Sequence, residues 1–159
     1  MSETFAFTLN GRPAHVAGRG DAVLVHALRG DLGLNATRFG CGAEACGACM
    51  VLLDGTPVQS CTLRLDRVAG RSVVTVEGLG TAEAPHPLQA ALLDEQAGQC
   101  GYCLSGIQIA AAALLARNPD PSRAEITVAL AGNFCRCGAQ NRMIAAVQRA
   151  ARSLRGETS

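Results

Sequence analysis

The stretch Gly40-Cys41-Gly42-Ala43-Glu44-Ala45-Cys46-Gly47-Ala48-Cys49 decides the reading of the N-terminal half. It sets three cysteines at Cys-x4-Cys-x2-Cys spacing, separates them almost entirely by glycine and alanine, and is followed by Cys61 in a later apolar segment. Small residues let such a loop curl tightly and turn its amide N–H groups toward one point, where they stabilise clustered negative charge. Short strands and one helix are expected around the loop. Thr4, Ala6 and Thr8 alternate with Phe5, Phe7 and Leu9, and Asn10-Gly11 signals a hairpin into a second strand near Ala14 to Ala17. Asp21 is expected to cap a helix carrying Val23, Leu24, Ala27 and Leu28 and ending at Gly33. Strands are also expected at Met50 to Leu53, Cys61 to Leu65 and Ser72 to Val76, with Asp54-Gly55 turning the chain after the first of them. A helix crossing a mixed sheet suggests a β-grasp arrangement.

Past Gly78-Leu79-Gly80 the composition shifts toward Ala, Leu and Gln and the period becomes helical. Pro87 suits a first helical position, so one helix is expected from Pro87 to Ala97. A second runs from Tyr102 to Arg117 and stops before Asn118-Pro119. Ser122 with Glu125 forms a capping box for a third that ends near Gly132, and a fourth runs from Ala139 to Arg155. The reading is therefore α+β. A sheet-based domain over residues 1–78 precedes a four-helix bundle over residues 79–159, with Glu77 to Pro85 as the linker.

Bulk properties narrow the function. The net charge is +1 with no basic run, and only one Tyr and four Phe are available for stacking, so no nucleic-acid footprint is expected. The apolar run from Ile107 to Ala116 is shorter than the ~18 residues of a membrane span. The first residues read as a strand and not as a targeting segment, so the expected location is cytoplasmic, or beyond it by export with a partner. In a reducing compartment, eight clustered cysteines are metal ligands or redox groups before they are disulfides.

The spacing of Cys41, Cys46 and Cys49 with Cys61 downstream is that of plant-type [2Fe-2S] ferredoxins, with a four-thiolate zinc site as the competing reading. Cys100 and Cys103 form a second pair at the start of the second expected helix, and Cys135 and Cys137 a third between the last two. These four can converge on one site. There a helix N-terminus is expected to lower thiol pKa, and by spacing alone zinc competes more seriously than in the first loop. His15, His26 and His86 are scattered and read as strand surface, helix face and linker.

The first loop, followed by Gln99-Cys100-Gly101-Tyr102-Cys103 and Asn133-Phe134-Cys135-Arg136-Cys137, resembles the small iron-sulfur subunit of the xanthine oxidase family of molybdenum hydroxylases, from about Phe5 to Ala151. The resemblance implies a plant-type ferredoxin-like β-grasp domain whose distal [2Fe-2S] cluster is held by Cys41, Cys46, Cys49 and Cys61. It also implies a helical domain whose proximal cluster is held by Cys100, Cys103, Cys135 and Cys137. By the same resemblance, Gln99 and Cys137 contact the pterin of a molybdopterin cytosine dinucleotide carried by a large partner subunit. Electrons then leave for a c-type cytochrome or a flavin subunit. Leu104-Ser105 and Gly138-Ala139-Gln140 stand where many members have Thr-Pro and Thr-Gly-Tyr. Cys-Arg-Cys-Gly and the segment from Gly78 to Pro87 are most similar to the nicotinate dehydrogenase and isoquinoline oxidoreductase small subunits, which points to an N-heteroaromatic substrate.

Two functional classes follow: a non-catalytic electron-transfer subunit of an oxidoreductase, or a free-standing ferredoxin-like carrier. A carrier needs one cluster and no second domain, so the helical module favours the subunit. Within the subunit reading, an aldehyde or xanthine-type hydroxylase is the alternative substrate class.

Overall fold

A computed structural model describes residues 3–157. The outermost ends of the two expected domains, residues 1–2 and 158–159, lie outside the described residues. The first half is a five-stranded mixed sheet in the order β2-β1-β5-β3-β4, with β1 at Glu3–Leu9, β2 at Arg12–Gly18, β3 at Met50–Leu53, β4 at Thr56–Gln59 and β5 at Ser72–Val74. β1 and β5 run parallel and the other pairs antiparallel. The period-two alternation of β1 buries Phe5, Phe7 and Leu9 on one face. There they meet Leu24, Ala27 and Leu28 of α1 (Leu24–Arg29), with Val51 and Val73 from the sheet beneath. Asn10 and Asp54, each followed by Gly, take positive φ at the two hairpin tips.

Three expectations in this half are corrected. Cys61 to Leu65 is not a strand; β4 is Thr56–Gln59, and the following segment serves α1 instead. Its carbonyls at Ser60 and Leu63 accept the N–H groups of Val25 and Leu24, which are orphan donors at the start of the helix. That backbone capping also replaces the expected side-chain cap. Asp21 lies two residues before the true N-cap, Val23, and pairs with Arg19. The helix stops at Arg29, before Gly33.

The second half holds α2 (Pro87–Asp94), α3 (Leu104–Arg117), α4 (Arg123–Leu130) and α5 (Gln140–Leu154), each within the expected span. Ser122 and Glu125 make the reciprocal capping box at α4. His86, expected as bland linker, caps α2: its Nδ1 accepts the Leu88 N–H at 3.1 Å, and the Gln89 side chain accepts the His86 N–H at 2.9 Å. Leu88, Leu92, Ile107, Leu114, Ile126, Met143 and Val147 share one apolar core. A smaller cluster of Met50 from β3 with Ile109 and Ala110 from α3 joins the two halves.

The linker is also tied down. Asn10 at the hairpin tip accepts from the Thr75 N–H at 2.9 Å, and Glu77 accepts the Ala36 N–H at 2.9 Å, so the chain entering the cysteine loop is braced from the module junction. Among the described residues, no helix is long and apolar enough to cross a membrane.

Candidate metal centres

The cysteine loop runs from Gly40 to Cys49 without helix or strand and delivers Cys49 to the start of β3. Three backbone N–H groups converge on Cys41 Sγ, from Ala43 at 3.4 Å, Ala45 at 3.3 Å and Cys46 at 3.4 Å. The chain curls this tightly because Gly42 and Gly47, and also Glu44, adopt positive φ. Hydrogen bonds to sulfur favour the thiolate, and those from Ala43, Cys46 and Ala45 hold the Cys41 thiol down to about 7 although it is exposed. Cys49 lies deep beside Cys61, and burial pushes its thiol up to about 11. Cys61 is fixed just past β4, where Ser60 Oγ bonds the Cys49 carbonyl at 2.6 Å.

In the helical half, Cys103 is the residue before α3, while Cys135 and Cys137 sit in the turn between α4 and α5. Cys100 and Cys137 approach to 3.4 Å between sulfurs, and the outer thiol of Cys100 is lowered by the Tyr102 backbone N–H and then by Cys137. The expectation that the helix N-terminus lowers these thiols fails at Cys103, whose burial pushes it up to about 12. Desolvation outweighs the partial charge of the helix end there. The loss of water that opposes a lone thiolate also strengthens its bond to a cation.

The eight thiols thus gather in neighbouring pairs: Cys41 with Cys46, Cys49 with Cys61, Cys100 with Cys137, and Cys103 with Cys135. Among the described residues, no three His, Cys, Asp or Glu side chains gather closely enough to hold a single ion. Close pairs of thiols, two in each module, are a donor set that would suit an iron-sulfur cluster of two irons. His15 and His26 are exposed and belong to neither set.

The two sets face one another. Cys41 and Cys46 from the loop and Cys100, Cys103, Cys135 and Cys137 from the helical module line one cavity of about 240 Å³. The walls meet by direct bonds, from the Phe134 N–H to the Cys46 carbonyl at 2.9 Å, from Ser105 Oγ to the Ala48 carbonyl at 3.0 Å, and from the Tyr102 hydroxyl to the Phe39 carbonyl. Sequence reasoning missed these contacts, since none has a local signal. Gln99 lies at the outer rim, exposed, with its Nε2 donating to the Cys137 carbonyl at 2.9 Å. It borders a broad depression of about 980 Å³ that also exposes Leu93. Phe134 and Tyr102 stand 66% and 46% exposed beside the cysteines, an apolar rim that a partner can cover.

Residues 7–73 match the model of the 2Fe-2S iron-sulfur cluster binding domain, and residues 75–148 match that of the [2Fe-2S] binding domain. The chain is 46% identical to a nicotinate dehydrogenase subunit of Pseudomonas putida, covering 98% of this chain and 99% of that one. It is 48% identical to the alpha subunit of isoquinoline 1-oxidoreductase from Brevundimonas diminuta, over 92% and 96% of the two chains. The crystal structure of quinoline 2-oxidoreductase from Pseudomonas putida 86 contains a chain that superposes with a TM-score of 0.91 at 36% identity, over 99% of both. With two iron-sulfur domain models matched end to end and relatives of this identity over nearly its whole length, the chain belongs to the small [2Fe-2S] subunits of the molybdenum hydroxylases.

Proposed function

We propose that this chain relays electrons within a hydroxylase of N-heteroaromatic substrates such as nicotinate. Cys41, Cys46, Cys49 and Cys61 hold one cluster in a domain of residues 1–78, and Cys100, Cys103, Cys135 and Cys137 hold the other in a domain of residues 79–159. The second set is proximal to a molybdopterin cytosine dinucleotide on a large subunit, and the first is distal, facing a c-type cytochrome or flavin acceptor. The observation that supports this reading best is the common cavity lined by cysteines of both sets. A relay needs its two carriers close and shielded, whereas a free-standing carrier needs only one.

When bound, the clusters supply one-electron storage, which divides the two-electron chemistry of a molybdenum centre into single steps. The protein's own part is to hold and insulate. The amides of Ala43, Ala45 and Cys46 stabilise negative charge at the Cys41 sulfur, and the buried seats of Cys49 and Cys103 keep water from the inner thiols. Gln99 is anchored through its NH2 to Cys137 and keeps a carbonyl oxygen to accept a bond from a pterin donor. The substrate assignment is supported by the nicotinate and isoquinoline enzymes among the relatives.

The test is purification of the chain with whatever it binds in its own cells. The expected complex contains a large molybdenum-binding partner together with two [2Fe-2S] clusters in this chain, and oxidises nicotinate in preference to aldehydes or xanthine. Zinc in place of iron, or a chain that travels alone, contradicts the assignment.

A further inference from the structure

Asn133 lies between the two cysteine sets, two residues before Cys135, and its Nδ2 donates to the carbonyl of Gly47, the residue after Cys46, at 3.2 Å. The neighbourhood is shaped to admit it. A Cβ on Gly106 of α3 would stand 1.9 Å from the Gly47 oxygen and 2.9 Å from Asn133 Nδ2. A Cβ on Gly47, whose φ is +69°, would stand 2.4 Å from the Gly132 oxygen and 2.6 Å from Nδ2. Three backbone segments therefore close on one amide. Its other end is costly: Asn133 Oδ1 is buried with no hydrogen-bond partner. A side chain kept for its own solvation would not leave an acceptor stranded, so the donor half is what the site uses.

We infer that Asn133 is a positioning residue that sets the separation of the two cysteine sets by clamping the Gly47–Ala48 peptide, just past Cys46, to the turn carrying Cys135. With the Asn133 amide on Gly47, the next N–H along, that of Phe134, meets the Cys46 carbonyl at 2.9 Å. The two bonds act as a pair of struts on adjacent carbonyls, and they join the segments that bear Cys46 and Cys135 at the wall of their shared cavity. Removing one strut leaves each module its own core but frees the register between them. This rests on the cluster assignment proposed above.

The test compares Asn133→Asp and Asn133→Ala with the unsubstituted protein, each in its native complex. Iron and sulfide content, thermal melting and the magnetic splitting between the two dithionite-reduced clusters are measured together. Asp is nearly isosteric but turns a donor into a carboxylate against the Gly47 oxygen, while Ala only deletes the donor. Both variants are expected to keep their iron and lose wild-type splitting, Asp more than Ala. If Asp does not assemble, Ala decides. Unchanged splitting at full iron content overturns the inference, as does a loss of splitting that merely follows loss of iron. The unsubstituted protein reports separately on the underlying assignment, because a single paramagnetic signal there would overturn the two-cluster reading itself.

Discussion

Phe134 donates its backbone N–H to the carbonyl oxygen of Cys46 at 2.9 Å. One peptide bond away on the Phe134 side lies Cys135, so cysteines assigned to different modules are joined by a single hydrogen bond and a short length of backbone. The modules are thus held in register at the point where electrons would cross. Their shared apolar cluster of Met50, Ile109 and Ala110 backs this contact from behind.

Gly106→Ala tests how close that contact is. In an ordinary helix the change stabilises by up to about 1 kcal/mol. Here the added Cβ meets the Gly47 backbone oxygen, which no side-chain rotation can relieve. Overpacking of this kind costs about 1–3 kcal/mol, so the melting temperature is expected to fall and the chain to purify with less iron. A raised melting temperature would mean that the modules do not touch there.

His86 gives the helical module a dependence on pH. Its Nδ1 accepts from the Leu88 N–H, a role open only to the neutral ring, and burial lowers its pKa below the ordinary 6.5. Because the folded pKa lies below the unfolded one, the cap's contribution is complete above pH 6.5 and is lost as pH falls through the folded value. A helix cap of this kind is worth about 1 kcal/mol. Thermal melts should show stability declining below pH 6.5, and His86→Asn, which keeps an acceptor that does not titrate, should flatten that decline. An equal slope in both proteins contradicts the role.

Gln99→Ala should slow electron entry more than it alters cluster content. The variant loses the anchor to the Cys137 carbonyl and the acceptor proposed to meet a pterin donor. A neutral hydrogen bond is worth about 1 kcal/mol and a stranded partner up to about 3, which corresponds to roughly a five- to 150-fold slower rate. Stopped-flow reduction of the complex by substrate, with iron and molybdenum assayed alongside, measures it. An unchanged rate at full occupancy removes Gln99 from the path.

Much of this was legible in the sequence, for physical reasons that differ by element. Ser122 and Glu125 cap their helix through contacts three residues apart, and Met50–Leu53 is bounded by an Asp-Gly turn, so local chemistry suffices. The alternation from Cys61 to Leu65 misled because that segment spends its carbonyls on capping α1, a tertiary demand with no local mark. Pro57 likewise disguised β4, which tolerates it as the strand at the sheet edge. The spacing of the cysteines groups them along the chain, but does not show that cysteines from both halves line one cavity. That depends on Gly47 meeting Gly106 and Asn133 across long stretches of chain. The Cys103 thiol shows the same limit, since a helix start is readable and its burial is not.

The most direct test of the relay is to break it at the proximal set. In Cys103→Ser the helical-module cluster should be lost while the cluster of the first loop remains, because the four cysteines proposed to hold that one all precede Cys100 in the sheet-based half. The complex is then reduced anaerobically, once with substrate and once with dithionite, and the remaining cluster is followed by electron paramagnetic resonance. Dithionite should still reduce it, and substrate should not do so on the timescale of turnover, since electrons must pass the missing site. Reduction by substrate at the wild-type rate would contradict the order of the relay and the proximal role of Cys100, Cys103, Cys135 and Cys137.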